Sequence, residues 1–188
     1  GEMRTVFEDK MPTQVGDASL TENLWRVLPA TKELIWWSQR ENWVHLYLYD
    51  LTTGVLKNRI TSGEGNVDDI LRVDERTRTI YFMASGKERG RDPYFQHLYK
   101  IGFDGRGQTL MTEENANHVV SASPDGNYFV DSYSTPDTPP VTVVRDANGR
   151  VIQTLERADA SRLLATGWKP PTLLTLKGAV RKTEIFRA

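Results

Sequence analysis

The chain contains three histidines, and an imidazole can act as a catalytic base or a metal ligand near neutral pH. His45 and His97 lie in two segments that share the letters His-Leu-Tyr, whereas His118 has no such counterpart. A structural repeat copies its scaffold, but a single active site needs no second copy. We therefore predict that His45 and His97 are structural and that His118, at the start of a strand, is structural as well. No two histidines have the spacing of metal ligands, so we predict neither a metal site nor a cofactor.

Serine and carboxylate chemistry is equally weakly supported. An α/β-hydrolase nucleophile needs glycine two residues before and two residues after the serine. None of the serines at positions 19, 38, 62, 85, 121, 123, 132, 134 and 161 has those neighbours. The adjacent pairs Asp68-Asp69 and Glu113-Glu114 should point to opposite faces of a strand, so they do not converge as an acid and a base would. The chain is therefore predicted to contain no catalytic residue.

The composition excludes several classes of protein. A formal net charge of −1, spread along 188 residues, argues against nucleic-acid binding. No apolar run is long enough to span a membrane. The absence of cysteine rules out disulfides and leaves cytoplasm and periplasm both open. The first residues, Gly1–Arg4, contain neither an initiator methionine nor a signal sequence, which indicates a piece of a longer chain.

A repeat of about 47 residues organises the elements around these side chains. Three strands end on serine at equal intervals of 47 residues, at Ser38, Ser85 and Ser132. The strand that follows each of them ends in a tight turn that starts with aspartate, at Asp50, Asp104 and Asp146. Such an aspartate accepts a hydrogen bond from the backbone two residues further on. Four short strands per repeat is the pattern of a β-propeller blade.

The predicted fold class is all-β: an arc of about three four-stranded antiparallel blades, with one short helix near the C-terminus. The predicted parts are the end of a preceding blade and a connection at 1–23, blade one at 24–65, blade two at 66–115, blade three at 116–157, and a helix with an entry segment toward a further domain at 158–188. We expect a strand at Met3–Glu8. Four aromatic residues should fill the spaces beside blade one: Trp36, Trp37, Tyr47 and Tyr49.

Antiparallel connections place the loops between strands two and three of every blade on one face. The charged and aromatic residues on this loop face are our candidate binding residues: Arg40, Glu41, Trp43, Lys87, Arg89, Arg91 and Asp92. The loop at 86–93 is longer and more charged than its counterpart at 39–42, and individual functions are often added to such loops. Two interpretations stay open, a solvated rim or a surface that binds a partner.

Several segments resemble a known family. They are Trp36–Asp50, Gly90–Tyr99, Ser123–Ser134 with Thr138–Pro140, and Gly167–Pro171. In combination they are similar to the last blades of the N-terminal propeller of bacterial dipeptidyl-peptidase IV-like serine peptidases, in the prolyl oligopeptidase clan. The similarity extends from about Arg4 to Pro171.

The resemblance implies an exopeptidase, a peptide hydrolase built in two parts. Its propeller restricts access and helps to hold the free N-terminus of the peptide substrate, and a hydrolase domain of the same parent chain carries a Ser-Asp-His triad. This chain would be non-catalytic by itself, since it ends where the hydrolase domain should begin. The paired glutamates with which the family binds the substrate amine belong to an earlier blade. The resemblance favours a periplasmic or secreted location.

Two other functions stay open: a free-standing propeller module that binds a protein or peptide, and a degenerate peptidase relative kept as a scaffold. An open arc also exposes the flat faces of its end blades. We therefore expect the isolated chain to self-associate, with two arcs completing a ring of about six blades.

Overall fold

The computed structural model of the protein describes residues 3–10, 25–172, 174–177 and 184–187. The strands of the first sheet are β1 (Arg26–Leu28), β2 (Glu33–Glu41), β3 (Trp43–Asp50) and β4 (Leu56–Arg59). Those of the second sheet are β5 (Asn66–Asp74), β6 (Thr79–Ser85), β7 (Gln96–Gly102) and β8 (Thr109–Leu110). Those of the third sheet are β9 (Asn117–Ala122), β10 (Tyr128–Thr135), β11 (Thr138–Asp146) and β12 (Val151–Arg157). Each strand pairs antiparallel with the next, which confirms the predicted fold class.

The first two sheets belong to one compact unit, within residues 1–113. Strand β3 is buried at every position from Val44 to Tyr49, whereas a half-exposed strand would alternate. One face of the first sheet packs against the second sheet through Ile35, Trp37, Leu46, Leu48, Ile80 and Phe82. Burial of each such side chain stabilises the fold by about 1.5–3 kcal/mol. This interface fixes the relative position of the loops at the ends of the two sheets.

The opposite face of the first sheet is covered by the segment 3–10. The strand predicted at Met3–Glu8 is wrong, because no strand forms in these residues. Phe7 instead stacks on Tyr49 at 4.3 Å between ring centroids and meets Trp36 edge-on at 5.6 Å. The segment contacts the face of the sheet through these side chains, and within the described residues it pairs with no strand.

The aromatic residues predicted beside blade one therefore divide between two faces. Trp37 lies in the core between the first and second sheets. Trp36, Tyr47 and Tyr49 belong to the cluster that includes Phe7. Alternation along β2 and β3 explains the division, because neighbouring residues point to opposite faces.

The second compact unit lies within residues 114–188 and contains the third sheet. Helix α1 (Ser161–Leu164) is the short helix that was predicted near the C-terminus. Gly167 follows it with a φ of +86° and donates its N–H to the carbonyl of Leu164 at 3.0 Å, which is typical of a glycine that ends a helix. Strands β13 (Leu174–Lys177) and β14 (Glu184–Arg187) pair antiparallel, and the residues between them lie outside the described part of the chain. None of the described helices is long and apolar enough to cross a membrane.

Candidate functional site

Arg40, the first candidate on the loop face, is held inside a network on the first sheet. Its guanidinium lies 4.4 Å from the centroid of the Tyr47 ring. It also donates to the Tyr49 hydroxyl at 2.6 Å and to Asp9 Oδ1 at 3.0 Å. Only 28% of its side chain is exposed. These contacts give Arg40 a structural role, fastening the segment 3–10 to the sheet.

Glu41 and Trp43 lie at the turn between β2 and β3. The Glu41 carboxylate forms an ion pair with Arg59 and accepts a hydrogen bond from the Tyr47 hydroxyl at 3.4 Å. Burial, reinforced by the charge of Glu41, raises the pKa of Tyr47 to about 12, so this tyrosine stays neutral. Trp43 is 38% exposed and presents an aromatic surface to solvent. Both side chains are exposed, Glu41 at 47%, but the Glu41 carboxylate is already paired with Arg59, whereas Trp43 offers an aromatic surface.

Lys87 fastens the longer loop to the connection between the first two sheets. Its ammonium group donates to the carbonyl oxygens of Ser62 at 3.0 Å and Glu64 at 3.3 Å. Burial lowers the pKa of Lys87. The neighbouring Glu88 accepts a hydrogen bond from the Tyr99 hydroxyl at 2.7 Å. Both charged side chains are thus engaged in holding the loop.

The rest of this loop combines a turn with exposed side chains. Asp92 Oδ1 accepts the backbone N–H of Tyr94 at 2.9 Å, and the half-buried Arg91 donates its backbone N–H to the carbonyl of Glu88 at 3.3 Å. Arg89 is exposed, and Tyr94 is 69% exposed. Tyr94 was not among the predicted binding residues, although an aromatic residue directly after Asp-Pro in a turn is a signal that could have found it. The exposed members of the loop face are therefore Glu41, Trp43, Arg89 and Tyr94, and because Glu41 is paired with Arg59 we consider Trp43, Arg89 and Tyr94 for contact with a partner.

The two repeated histidines occupy equivalent buried positions. His45 Nδ1 lies 3.2 Å from Thr61 Oγ1, and His97 Nδ1 lies 3.3 Å from Thr112 Oγ1. In both repeats the same threonine hydroxyl accepts the backbone N–H of the residue after the histidine, at 2.9 and 3.0 Å. Burial lowers the pKa of His45. The predicted structural role of both histidines is confirmed, and the threonine is a part of the repeat that the sequence analysis missed.

His118 belongs to a different arrangement, in the second unit. Its Nδ1 lies 3.0 Å from both carboxylate oxygens of Asp131, and its Nε2 lies 3.1 Å from the backbone carbonyl of Glu114. Arg145 donates from Nε to Asp131 at 2.8 Å and from Nη2 to the Glu114 carboxylate at 2.6 Å. We call these four residues the His118 network. The prediction that His118 is structural is confirmed, but its partners Asp131 and Arg145 were not predicted from the sequence.

The His118 network also contains three groups of the kinds that ligate metals. Ligand atoms of Glu114, His118 and Asp131 lie within 4.8 Å of one another. Arg145 already supplies a positive charge and donates hydrogen bonds to both carboxylates. A cation would have to displace this guanidinium, so the geometry fits a satisfied ion network better than a metal centre.

Asp68 and Asp69 lie at an irregularity in the pairing of β5 with β6. Val67 pairs with Ala84 and Asp69 pairs with Met83, so Asp68 is the extra residue of a β-bulge. Burial raises the pKa of Asp68 to about 6, and the negative charge of Asp69 adds to this effect. Within the described residues, Asp68 Oδ2 and Asp69 Oδ1 are buried without a hydrogen-bond partner. The bulge interrupts the regular alternation at Asp68, and the expectation that the two carboxylates do not converge as an acid and a base stays a prediction.

A groove of about 340 Å³ lies in the second unit, between the β10–β11 turn and the segment that follows α1. Its wall includes Pro136, Pro139, Leu163, Leu164 and Trp168, and most of it is apolar. Asp137, at the loop-face position of this sheet, lies at its edge.

Three four-stranded antiparallel meanders, two of them packed face to face, define a β-propeller protein. The family model of the dipeptidyl peptidase IV (DPP IV) N-terminal region matches residues 2–140. The chain therefore belongs to this family, which confirms the resemblance to the N-terminal propeller region of dipeptidyl-peptidase IV-like peptidases.

Individual relatives agree with this assignment. The chain is 32% identical to dipeptidyl peptidase 4 of Arthroderma otae over 104 residues, which are 54% of this chain and 13% of that protein. It is 31% identical to dipeptidyl peptidase 4 of Trichophyton rubrum over the same length. The crystal structure of Porphyromonas gingivalis dipeptidyl peptidase 4 matches with a TM-score of 0.72 and 24% identity, covering 90% of this chain and 23% of that one. The chain thus spans about an eighth of the length of its curated relatives, and the structural likeness shows the fold.

Proposed function

We propose that this chain is the non-catalytic propeller part of a dipeptidyl-peptidase IV-like serine exopeptidase. It would shape access to the active site of a hydrolase domain in the same parent chain and help to bind the substrate N-terminus there. The observation that carries the proposal is the family match over residues 2–140. The sequence itself contains no Gly-x-Ser-x-Gly segment, so the hydrolytic chemistry is assigned to the parent protein.

The accessible residues of the loop face support the access role. Trp43 and Tyr94 offer flat aromatic surfaces that can stack on proline rings and peptide planes. Arg89 offers a guanidinium that can donate to peptide carbonyl or carboxylate oxygens. A guanidinium repels an ammonium group, so these three residues suit the body of a peptide, and binding of the amine rests on the family assignment.

The first experiment compares this chain with the longest reading frame that contains it, using an Xaa-Pro chromogenic substrate. We expect the long form to cleave the substrate and this chain not to cleave it. If neither form cleaves, or if no longer frame exists, the free-standing binding module becomes the favoured function. The loop face would then be the surface on which to search for a partner.

A second experiment tests the loop face within the longer protein. Arg89→Ala and Tyr94→Ala should raise KM for peptides of four to six residues by about threefold to tenfold, which is the loss of roughly one contact. The KM of a short chromogenic substrate should change less. Arg76→Ala is the matched control, because Arg76 is exposed in the turn at the opposite end of β6. Equal effects of Arg76→Ala and Arg89→Ala would argue against the access role.

A further inference from the structure

One wall of the groove in the second unit runs from Ser134 to Pro140, across the turn between β10 and β11. It contains three prolines, and each proline ring fixes its own backbone angle φ. The Asp137 carboxylate accepts hydrogen bonds from the hydroxyls of Thr135 and Thr138, which fix its position in the turn. This wall therefore has little conformational freedom to lose when a ligand binds.

The other wall is formed by α1 and the segment after it, through Ala160, Leu163, Leu164, Trp168 and Pro170. The Thr166 hydroxyl donates to the carbonyl of Leu163 at 2.7 Å and so holds the segment against the helix. The backbone N–H of Ala158 donates to the carbonyl of Pro140 at 2.9 Å, which connects the chain before α1 to the end of the first wall. The groove of about 340 Å³ is thus preformed, and its volume lies near the lower end of the range typical of ligand sites, about 300–1,000 Å³.

Three large apolar side chains of the second wall are exposed. Leu163, Leu164 and Trp168 are 47%, 49% and 43% exposed, and all three line the same groove. Single exposed apolar residues are ordinary, whereas a contiguous apolar patch marks a binding surface. An apolar side chain of a ligand would leave water on contact with this wall, and that transfer favours binding.

The polar groups of the groove favour a ligand with a positive charge. Asp137 is the one charged residue among those that line the groove, and it forms no ion pair within the described residues. The hydrogen bond from the Thr135 hydroxyl lowers the pKa of Asp137, so its carboxyl group is ionised at neutral pH. Four of the lining residues are prolines, which offer carbonyl acceptors but no N–H donors. The face of the Trp168 ring also attracts an ammonium or guanidinium group.

We propose that this groove binds an extended peptide segment of a partner protein, in which an apolar side chain stands next to an arginine or a lysine. The apolar side chain packs between the prolines and Leu164, and the cationic side chain pairs with Asp137 at the edge. Aromatic-lined grooves are a common type of site for extended segments, because such segments need little ordering when they bind. The site consists of residues of the second unit alone, and the inference goes beyond the proposed function without resting on it.

An NMR chemical-shift titration of the whole chain tests the proposal with two capped peptides. They are acetyl-Pro-Leu-Arg-Pro amide and the same peptide with citrulline, which has nearly the shape of arginine but no charge. The acetyl cap removes the free N-terminus that the proposed function would bind. We expect shifts at residues 134–140 and 160–170, and tighter binding of the arginine peptide by about twofold to fivefold. Equal binding of the two peptides would overturn the proposal, as would unchanged resonances at these residues up to about 5 mM peptide.

Two variants separate the charge from the apolar contact. Asp137→Asn should bind the two peptides equally, because it removes the charge and keeps the size of the side chain. Trp168→Ala should weaken the binding of both peptides by about tenfold, because it removes the aromatic contact. A preference for arginine that persists in Asp137→Asn would contradict the proposal. If either variant does not fold, the comparison of the two peptides on the wild-type chain still decides the question.

The matched controls are Asp125→Asn and Trp25→Ala. Asp125 is exposed in the turn between β9 and β10, Trp25 is 45% exposed before β1, and neither lines the groove. Both variants should bind the two peptides as the wild-type chain does. Weakening by Trp25→Ala as large as that by Trp168→Ala would place the peptide outside the groove and overturn the proposal.

Two further measurements distinguish other occupants of the groove. A dilution series without peptide that moves the resonances of residues 134–140 and 160–170 would show a second copy of the chain in the groove and overturn the proposal. In the longest reading frame that contains this chain, fluorescence anisotropy of the labelled arginine peptide should show binding that Asp137→Asn weakens by about twofold to fivefold. Loss of that binding in the longer protein would assign the groove to another part of the parent chain and overturn the proposal as well.

Discussion

The carboxylate of Glu33, on β2 of the first sheet, receives two hydrogen bonds from Arg78, in the turn between β5 and β6 of the second sheet. Arg78 Nη1 lies 2.8 Å from Oε2, and Nη2 lies 3.1 Å from Oε1. Lys57 donates to the same carboxylate, and the Glu33 side chain is only 2% exposed. The guanidinium also lies 4.4 Å from the centroid of the Phe103 ring. This bidentate pair connects the two sheets away from the loop face.

The pair predicts a loss of stability in acid. Chiefly because of the Arg78 hydrogen bond, the pKa of Glu33 falls from 4.5 to about 2. A folded-state pKa below the unfolded value gives stability that is full above about pH 4.5 and is lost as the pH falls toward 2. Arg78→Ala should lower the free energy of unfolding at pH 7 by about 1–3 kcal/mol, and by less at pH 3. Urea unfolding at both values measures this, and Arg76→Ala in the same turn should change it by less than about 0.5 kcal/mol.

The buried carboxyl group of Asp68 predicts a pH dependence of the free energy of unfolding that is opposite in sign to that of Glu33. Burial raises its pKa from 3.8 to about 6, so the folded state binds more protons than the unfolded state between these values, and stability falls as the pH rises through this interval. Asp68→Asn should therefore raise the free energy of unfolding above pH 6 by about 1–3 kcal/mol. The advantage should vanish below about pH 4.

The matched control for Asp68 is Asp50→Asn. Backbone hydrogen bonds from Thr53 and Thr52 lower the pKa of Asp50, so its neutralisation should destabilise the protein at neutral pH. Thermal unfolding of both variants at pH 4 and pH 7.5 shows whether each substitution raises or lowers the stability of the protein. A destabilised Asp68→Asn at pH 7.5 would contradict the buried-charge explanation.

Thr61 and Thr112, the buried threonines beside His45 and His97, should contribute equally to the free energy of unfolding. Thr61→Val and Thr112→Val each leave a buried backbone N–H unsatisfied and remove a contact to a histidine ring. We expect each to lower the free energy of unfolding by about 1–3 kcal/mol, with the serine variants losing less. Urea unfolding measures both, and a difference of more than about twofold between the sites would argue against an equivalent role.

The third sheet should promote association of the isolated chain. Val119 on β9 and Val130 on β10 are 67% and 41% exposed, and their register places them on the same face. We expect analytical ultracentrifugation to show a weight-average molecular mass that rises with protein concentration. The double variant Val119→Lys with Val130→Lys should reduce this rise. Val55→Lys is the control, because Val55 is 62% exposed outside this sheet. A monodisperse monomer of the wild-type chain would contradict the expected self-association.

The sequence by itself determined the local structure that recurs in each repeat, namely its turns and strands. Asp50, Asp104 and Asp146 each accept the backbone N–H two residues further on, as their turn motif predicted. The strands follow the same repeat, because hydrophobic pattern and turn chemistry depend on near neighbours in the chain.

Only the tertiary structure decided where charges are buried. His118 meets Asp131 and Asp131 meets Arg145 across 13 and 14 residues of sequence, and those distances become short only when β9, β10 and β11 take their register. Arg40 likewise meets Asp9 only because the segment 3–10 lies on the face of the first sheet. Composition and spacing do not reveal such contacts, because the energy of a charge depends on the partners and the burial that the assembled sheets provide.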